Sequence, residues 1–341
     1  MIQGSIKKIT KRLVRVSMVL CVLLFTGCGI EDDGGYTVSF DTQGGSSLPQ
    51  KTKISNGVTI ILPATDRSGY TLDGWYTSAS GGTRVGGAND SYVVNSNITL
   101  YAHWTIVDGA SGALYTINGI ECVFVKGGTF MMGDNISTEG ASPAHQVTLR
   151  DYYISKYEVT QELWESVTGN NPSNKYCGIY LNYPVNEVSW DDAAAFCKTV
   201  GGRLPTEAEW EFAARGGNHS QGYNFSGSND LNEVGWYNDD FGNLQAPCHR
   251  GAVGTKLPNE LGIYNMSGNV WEWVNDWWGV YPSGPVINPK GPDSGSYRVA
   301  RGGSSADPVL RYCRVTYRRD FSQSRCESYL GFRIVFDEKS N

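Results

Sequence analysis

Residues 295–336 read GSYRVARGGSSADPVLRYCRVTYRRDFSQSRCESYLGFRIVF, and their two ends obey different rules from their middle. At the front, Tyr297 and Val299 followed by Gly302 and Gly303 suit a strand that passes close to another backbone. At the back, Leu330, Phe332, Ile334 and Phe336 alternate with the period of a strand. Between them the period dissolves into Ser, Asp, Pro, Arg, Tyr, Phe and Cys, so neither 305–312 nor 319–329 can lay a continuous apolar face on a core. Eight of the chain's sixteen arginines lie between Arg298 and Arg333. A fold that accepts this stretch must be a rigid frame carrying irregular, solvent-facing loops, which is where binding surfaces usually sit. The same residues also describe a plain solvated hairpin with ordinary loops, and the rest of the chain has to decide.

The chain has 341 residues, 40% hydrophobic and 18% charged, enough for a sizeable core and for two domains. Its N-terminus stands apart. Lys7, Lys8, Lys11, Arg12 and Arg15 form a basic segment, 16–25 is apolar but short for a bilayer, and Phe25-Thr-Gly-Cys28 closes it. This resembles a bacterial lipoprotein signal, which implies cleavage after residue 27, lipidation of Cys28 and a cell-envelope location, lipid-anchored at the outer membrane or cell surface. Removing 1–27 takes away five basic and no acidic side chains, so the formal charge goes from -6 to -11. An exterior that acidic argues against nucleic acid and anionic membrane surfaces as partners, leaving the lipid as the membrane contact. Six cysteines remain beyond the signal and Cys28: Cys122, Cys177, Cys197, Cys248, Cys313 and Cys326. They permit disulfides without selecting a connectivity. The four histidines are scattered without ligand spacing, which argues against a zinc or non-haem iron site.

After a tether at 28–35, residues 36–104 form a small mostly-β module, with alternation at Tyr36-Thr-Val-Ser-Phe40 and again at Ile98-Thr-Leu-Tyr-Ala-His-Trp104. The latter run, together with Gly69-Tyr-Thr-Leu-Asp-Gly-Trp-Tyr76, resembles the Listeria-Bacteroides repeat, which implies a β-grasp-like module that spaces or presents other domains. Residues 105–112 read as a linker. The main domain then runs over 113–336. Helices start at the N-caps Thr160 and Ser189 and at the capping box Thr206-Glu-Ala-Glu209, and they stop at Gly169, Gly201-Gly202 and Gly216-Gly217. Residues 218–259 are polar and rich in Gly and Asn, which suits a loop-dominated fold.

Across this domain Lys156-Tyr-Glu-Val-Thr160, Pro184-Val-Asn-Glu-Val-Ser-Trp190, Gly202-Arg-Leu-Pro-Thr-Glu-Ala-Glu-Trp210, Gly262-Ile-Tyr-Asn-Met-Ser-Gly-Asn-Val-Trp-Glu-Trp273, Arg301-Gly-Gly-Ser304 and Leu330-Gly-Phe-Arg333 follow one another. They resemble the formylglycine-generating enzyme superfamily. That implies an α+β chain: a formylglycine-generating-enzyme-type C-type lectin fold with sparse regular structure, behind the β-grasp-like module. Glu207 and Glu209, two positions apart on a helix, point to different faces, so they read as capping and dipole residues rather than an acid/base pair. Trp271, Trp273, Trp277 and Trp278 read as a core cluster rather than a sugar platform.

The resemblance also implies a structural calcium site at Asn265, the backbone oxygens of Gly268 and Val270, and Glu272, an oxygen set that suits a hard cation. Family oxidases hold copper between two cysteines placed just after the Arg-Gly-Gly-Ser motif. Cys313 answers to the second, but Pro308 stands five residues before it and Asp307 is the nearest equivalent of the first. One thiolate cannot make a two-coordinate copper site, so neither copper nor oxidase activity is expected.

The competing class is a binding protein. The frame Arg-Gly-Gly-Ser, irregular run, Cys313-Arg-Val-Thr316, irregular run, Leu-Gly-Phe-Arg is similar to that of variable proteins of diversity-generating retroelements, treponemal surface lipoproteins among them. There the C-terminal region, here about 301–333, is rewritten at template asparagine codons. Changing the adenines of AAC never yields Lys, Glu, Gln, Met or Trp, and residues 305–322 contain none of these; Gln323 and Glu327 do break the rule. The implied ligand-binding positions begin with Ser305, Ala306, Asp307, Leu310, Tyr312 and Tyr317. They continue with Arg319, Asp320, Phe321, Ser322 and Ser324, and end with Arg325, Glu327, Ser328 and Tyr329. Such Tyr, Ser, Arg and Asp content is what adaptable binding surfaces favour, and the implied partner is a protein or glycan ligand. A structural envelope lipoprotein with no selected ligand is the third reading.

Overall fold

The computed structural model describes residues 35–107, 109–135, 140–173, 180–238 and 250–338. The signal segment, Cys28, the tether up to residue 34, Cys177 and Cys248 lie outside the described residues.

The N-terminal module holds β1 (Tyr36–Asp41), β2 (Lys51–Ile54), β3 (Val58–Ile61), β4 (Tyr70–Tyr76), β5 (Arg84–Gly86), β6 (Ser91–Val94) and β7 (Ile98–Ile106). Its main sheet has the order β2-β1-β7-β4-β5, and β3 pairs with β6 as a ribbon. The first and last strands run parallel at the centre, Val38 opposite Ile98 and Phe40 opposite Leu100, which is the grasp-like arrangement. Val38, Leu62, Trp75 and Leu100 fill the space between sheet and ribbon. β7 extends past the boundary at 104. The linker is not slack either, because Ser111, Gly112 and Ala113 are buried.

The main domain opens with β8 (Leu114–Ile117), β9 (Ile120–Val125), β10 (Thr129–Met132), β11 (His145–Thr148) and β12 (Tyr152–Ser155). Helices α1 (Gln161–Thr168), α2 (Trp190–Thr199), α3 (Glu207–Ala214) and the one-turn α4 (Leu231–Val234) follow, then β13 (Trp271–Trp277), β14 (Val286–Ile287), β15 (Arg298–Arg301), β16 (Arg318–Phe321), β17 (Leu330–Phe332) and β18 (Val335–Asp337). The helices begin and end where their caps predict. Thr160 accepts from the Leu163 N–H, Gly169 takes the left-handed conformation after α1, and Ser189 with Asp192 and Thr206 with Glu209 close complete capping boxes.

The two framework ends of 295–336 are strands on opposite sides of β13. β15 runs antiparallel to it, Glu272 opposite Arg301, and β17 parallel, Trp271 opposite Leu330. β16 adds a fourth strand outside β15, with Arg318 opposite Arg301. That strand falls in the stretch expected to be irregular. It escapes the sequence pattern because its inward residue at Arg318 is buried by ion pairing instead of by apolar contact.

The ion pairing centres on α3, which is buried on every side, its three glutamates included. Arg301 bridges Glu207 and Glu211 at 2.7 Å each. Arg318 reaches Glu207 at 2.6 Å, and Arg215 reaches Glu211 at 2.8 Å. Glu209 caps the helix and also takes Arg203 at 2.7 Å. The capping reading of these acids is therefore incomplete, since Glu207 and Glu211 hold the C-terminal strands onto the helix. Trp271 and Trp273 are fully buried, as a core cluster requires, while Trp277 and Trp278 are half-buried at its edge.

Candidate ligand-binding face

The loops between β15, β16 and β17 start from a strained turn. Gly302 and Gly303 have φ of +95° and +73°, and a Cβ on Gly303 would stand 2.8 Å from the Cys313 sulfur, so only glycine lets the chain leave β15 this way. The next residues turn inward. The Asp307 carboxylate accepts from the Ser304 N–H at 2.9 Å, the Ser304 hydroxyl at 2.7 Å and the Trp271 indole at 2.7 Å. Ser305 donates its N–H to the Asn269 carbonyl. Burial pushes the Asp307 carboxyl up while these donors pull it back.

Of the fifteen positions singled out from sequence, Ser305, Asp307 and Phe321 are thus corrected: their side chains are buried and serve the frame. Their polar or aromatic identity hid this, because Asp307 is satisfied by local donors and Phe321 packs edge-on against Trp271 and Trp273. Ala306, Leu310, Asp320, Ser322, Ser324 and Arg325 are exposed, and Tyr312, Tyr317, Arg319, Glu327, Ser328 and Tyr329 are half-buried.

The aromatic members form one connected tract. Ring centroids lie 4.9 Å apart for Tyr312–Tyr317, 5.9 Å for Tyr317–Trp271 and 6.2 Å for both Trp271–Phe321 and Phe321–Tyr329. Arg319 sits over Trp271, Tyr312 and Phe321 at 5.7, 5.9 and 5.1 Å, with Asp307 at 3.7 Å. Arg325 pairs with Glu327. Arg311 and Arg314 are also exposed on this stretch and were passed over in the sequence. The arginine clustering there was the signal that could have found them. The result is rigid aromatic ground under exposed small and charged side chains, the composition that gives protein interfaces their anchors.

Cys313 is fully buried and its thiol is pushed far up by burial, with Asp307 adding to the shift. Cys122, Cys197, Cys313 and Cys326 are all free thiols. Around the expected calcium residues, Glu272 is already engaged: Arg333 donates to its two oxygens at 2.6 and 2.7 Å and the Trp210 indole at 2.7 Å. Asn265 accepts from the Gly254 N–H, and among the described residues its own amide nitrogen has no partner. Beside them Glu158 is fully buried. Among the described residues neither of its carboxylate oxygens finds a hydrogen-bond donor in good geometry, although the Asn269 side chain is near. Burial and the neighbouring Glu272 push its carboxyl well up.

Residues 115–338 match the sulfatase-modifying factor enzyme 1-like domain. The chain belongs to that family. Residues 36–103 match the Listeria-Bacteroides repeat domain, in agreement with the module seen at the N-terminus. The formylglycine-generating enzyme of Bos taurus is 41% identical over 282 residues, covering 64% of this chain and 75% of that protein. Among solved structures, Treponema denticola variable protein 1 superposes with a TM-score of 0.58 at 31% identity, over 66% of this chain and 98% of its own. PvdO from Pseudomonas aeruginosa, at 23% identity and a TM-score of 0.54, shares the fold over 67% of this chain. The sulfatase-modifying-factor-type domain here thus has an α+β, lectin-like frame with few helices. Its C-terminal loops form a surface of the kind expected for ligand binding.

Proposed function

We propose that this protein is a lipid-anchored envelope protein that binds a protein or glycan on another cell through a diversified C-terminal face, and that it is not an oxidase. The observation that carries the reading is the division of labour in 301–333. Arg301, Ser304, Asp307, Cys313, Arg318 and Phe321 are buried framework, while Ala306, Leu310, Asp320, Ser322, Ser324 and Arg325 are free to change without exposing core. A buried neutral thiol at Cys313 with Pro308 five residues before it is poor ground for copper chemistry, since the thiolate is the metal ligand. The deciding experiment is to sequence the DNA beside the gene. A near-identical repeat differing at template adenines, next to a reverse transcriptase gene, is the expected result. A genome with neither removes diversification and leaves a structural lipoprotein.

Calcium belongs to the same proposal as a structural ion. A buried carboxylate without a well-placed donor needs a proton or a cation, and Glu158 lies beside the expected ligands. Asn265, the Gly268 and Val270 carbonyls, Glu272 and Glu158 would hold the ion, which would supply charge neutralisation under the frame of the face.

A further inference from the structure

A second site lies away from the variable face. The N-terminal module and the main domain enclose a cleft of about 1250 Å³, larger than the few hundred to a thousand Å³ of a small-ligand pocket. It is preformed, because the modules are tied together. Val107 donates to the Gly69 carbonyl, the Ser68 hydroxyl to the Ser111 carbonyl at 3.0 Å, and Gly112 and Phe124 continue the tie into β9. The backbones approach so closely there that a Cβ on Gly69 would stand 2.2 Å from the Ala113 nitrogen.

One cation enters from each wall. Arg67, from the N-terminal module, stacks on Tyr70 at 3.9 Å and spends one N–H on the Gln43 carbonyl. Among the described residues no carboxylate lies within ion-pair distance of it. Lys156, from the end of β12, lies 5.0 Å over Tyr157 and 5.8 Å over Tyr264, with Glu121 at 3.6 Å. Burial pushes the Tyr264 phenol up, and Lys156 and Arg67 both pull it back. Tyr223, Gln221, Glu260 and Trp104 also line the cleft, and Glu260 accepts the Gln221 N–H at 3.0 Å on one oxygen while its other oxygen is buried.

We propose that this cleft binds an oligosaccharide containing uronic acid. A guanidinium fork matches a planar carboxylate, ring faces accept the C–H side of a pyranose, and the exposed Gln221 side chain offers its amide to the hydroxyls. The module that looks like a spacer then contributes half of a binding site.

The test uses the full-length protein in detergent and titrates it calorimetrically with hyaluronan, alginate and polygalacturonate oligomers of matched length. A neutral chitin oligomer and a poly-glutamate peptide serve as controls. At least one uronate should bind with Kd below about 1 mM and lose about tenfold in both Arg67→Ala and Lys156→Ala, with melting temperature unchanged. Tyr312→Ala on the variable face should leave this binding intact, so failure here and failure of the proposed face are separable. Should Lys156→Ala disturb β12, the Arg67 variant, on a loop of the other module, decides alone. The proposal is overturned if no uronate binds, if the variants bind like wild type, or if either control binds as well.

Discussion

At the scale of single residues, the telling groups are acids that the fold has buried. Among the described residues neither Glu158 oxygen has a donor in good geometry, whereas Glu272 beside it has Arg333 and Trp210. If calcium neutralises Glu158, added calcium should raise the melting temperature and chelator should lower it, and Glu158→Gln should abolish most of the difference. A wild-type protein whose melting is indifferent to both would end the calcium reading. Asp276 gives a second prediction. It is fully buried beside Glu207, Glu209 and Arg318, and burial, reinforced by Glu207, pushes its carboxyl up to about 8 from an ordinary 3.8. The folded carboxyl therefore keeps its proton where the unfolded one has lost it. Its contribution to stability must fall as pH rises from about 4 towards 8 and level off above. Asp276→Asn should flatten urea-derived stability across that window; an unaltered slope would show that other groups set it.

At the scale of elements, α3 is held by charge. Removing one partner of a buried pair leaves an uncompensated ion, so Arg301→Met should cost about 3–5 kcal/mol in denaturant unfolding, with Glu207→Gln falling in the same range. A loss below about 1 kcal/mol would mean that water or a relaxed side chain satisfies Glu207 and Glu211. This helix also shows how far the sequence could be read. Thr206 and Glu209 announce its start because a capping box is a local device, and Gly169 marks the end of α1 for the same reason. The strands flanking β13 are legible because Leu330 and Phe332 alternate. β16 and the Arg301–Glu207–Arg318 cluster are not, since charged residues read as exposed until a partner distant in sequence is known. The inward turn of Asp307 is hidden likewise: three donors that satisfy it, two of them from Ser304 and one from Trp271, do not form a pattern along the chain.

At the scale of the whole molecule, the proposed function asks a buried frame and a replaceable face to coexist in one cooperative unit, and an anchor to hold that unit at the envelope. The anchor is tested by palmitate labelling, which should be lost in Cys28→Ala; equal labelling of the variant would exclude lipidation there. The face is tested by mutational tolerance. Ala306, Leu310, Asp320, Ser322 and Ser324 are exposed, and exposed sites away from caps and pairs usually change stability by less than about 0.5 kcal/mol; Arg325 is exposed too, and its surface pair with Glu327 contributes little. Replacing all six by other residues reachable from AAC codons should therefore leave the unfolding transition nearly in place while changing what the surface recognises. Asp307→Ala is the internal control, because it strands the Trp271 indole and two Ser304 donors in the interior and should cost about 1–3 kcal/mol by itself. If the sixfold variant unfolds as readily as Asp307→Ala, the exposed positions are part of the frame after all, and a surface that varies while the fold persists could not be built on them.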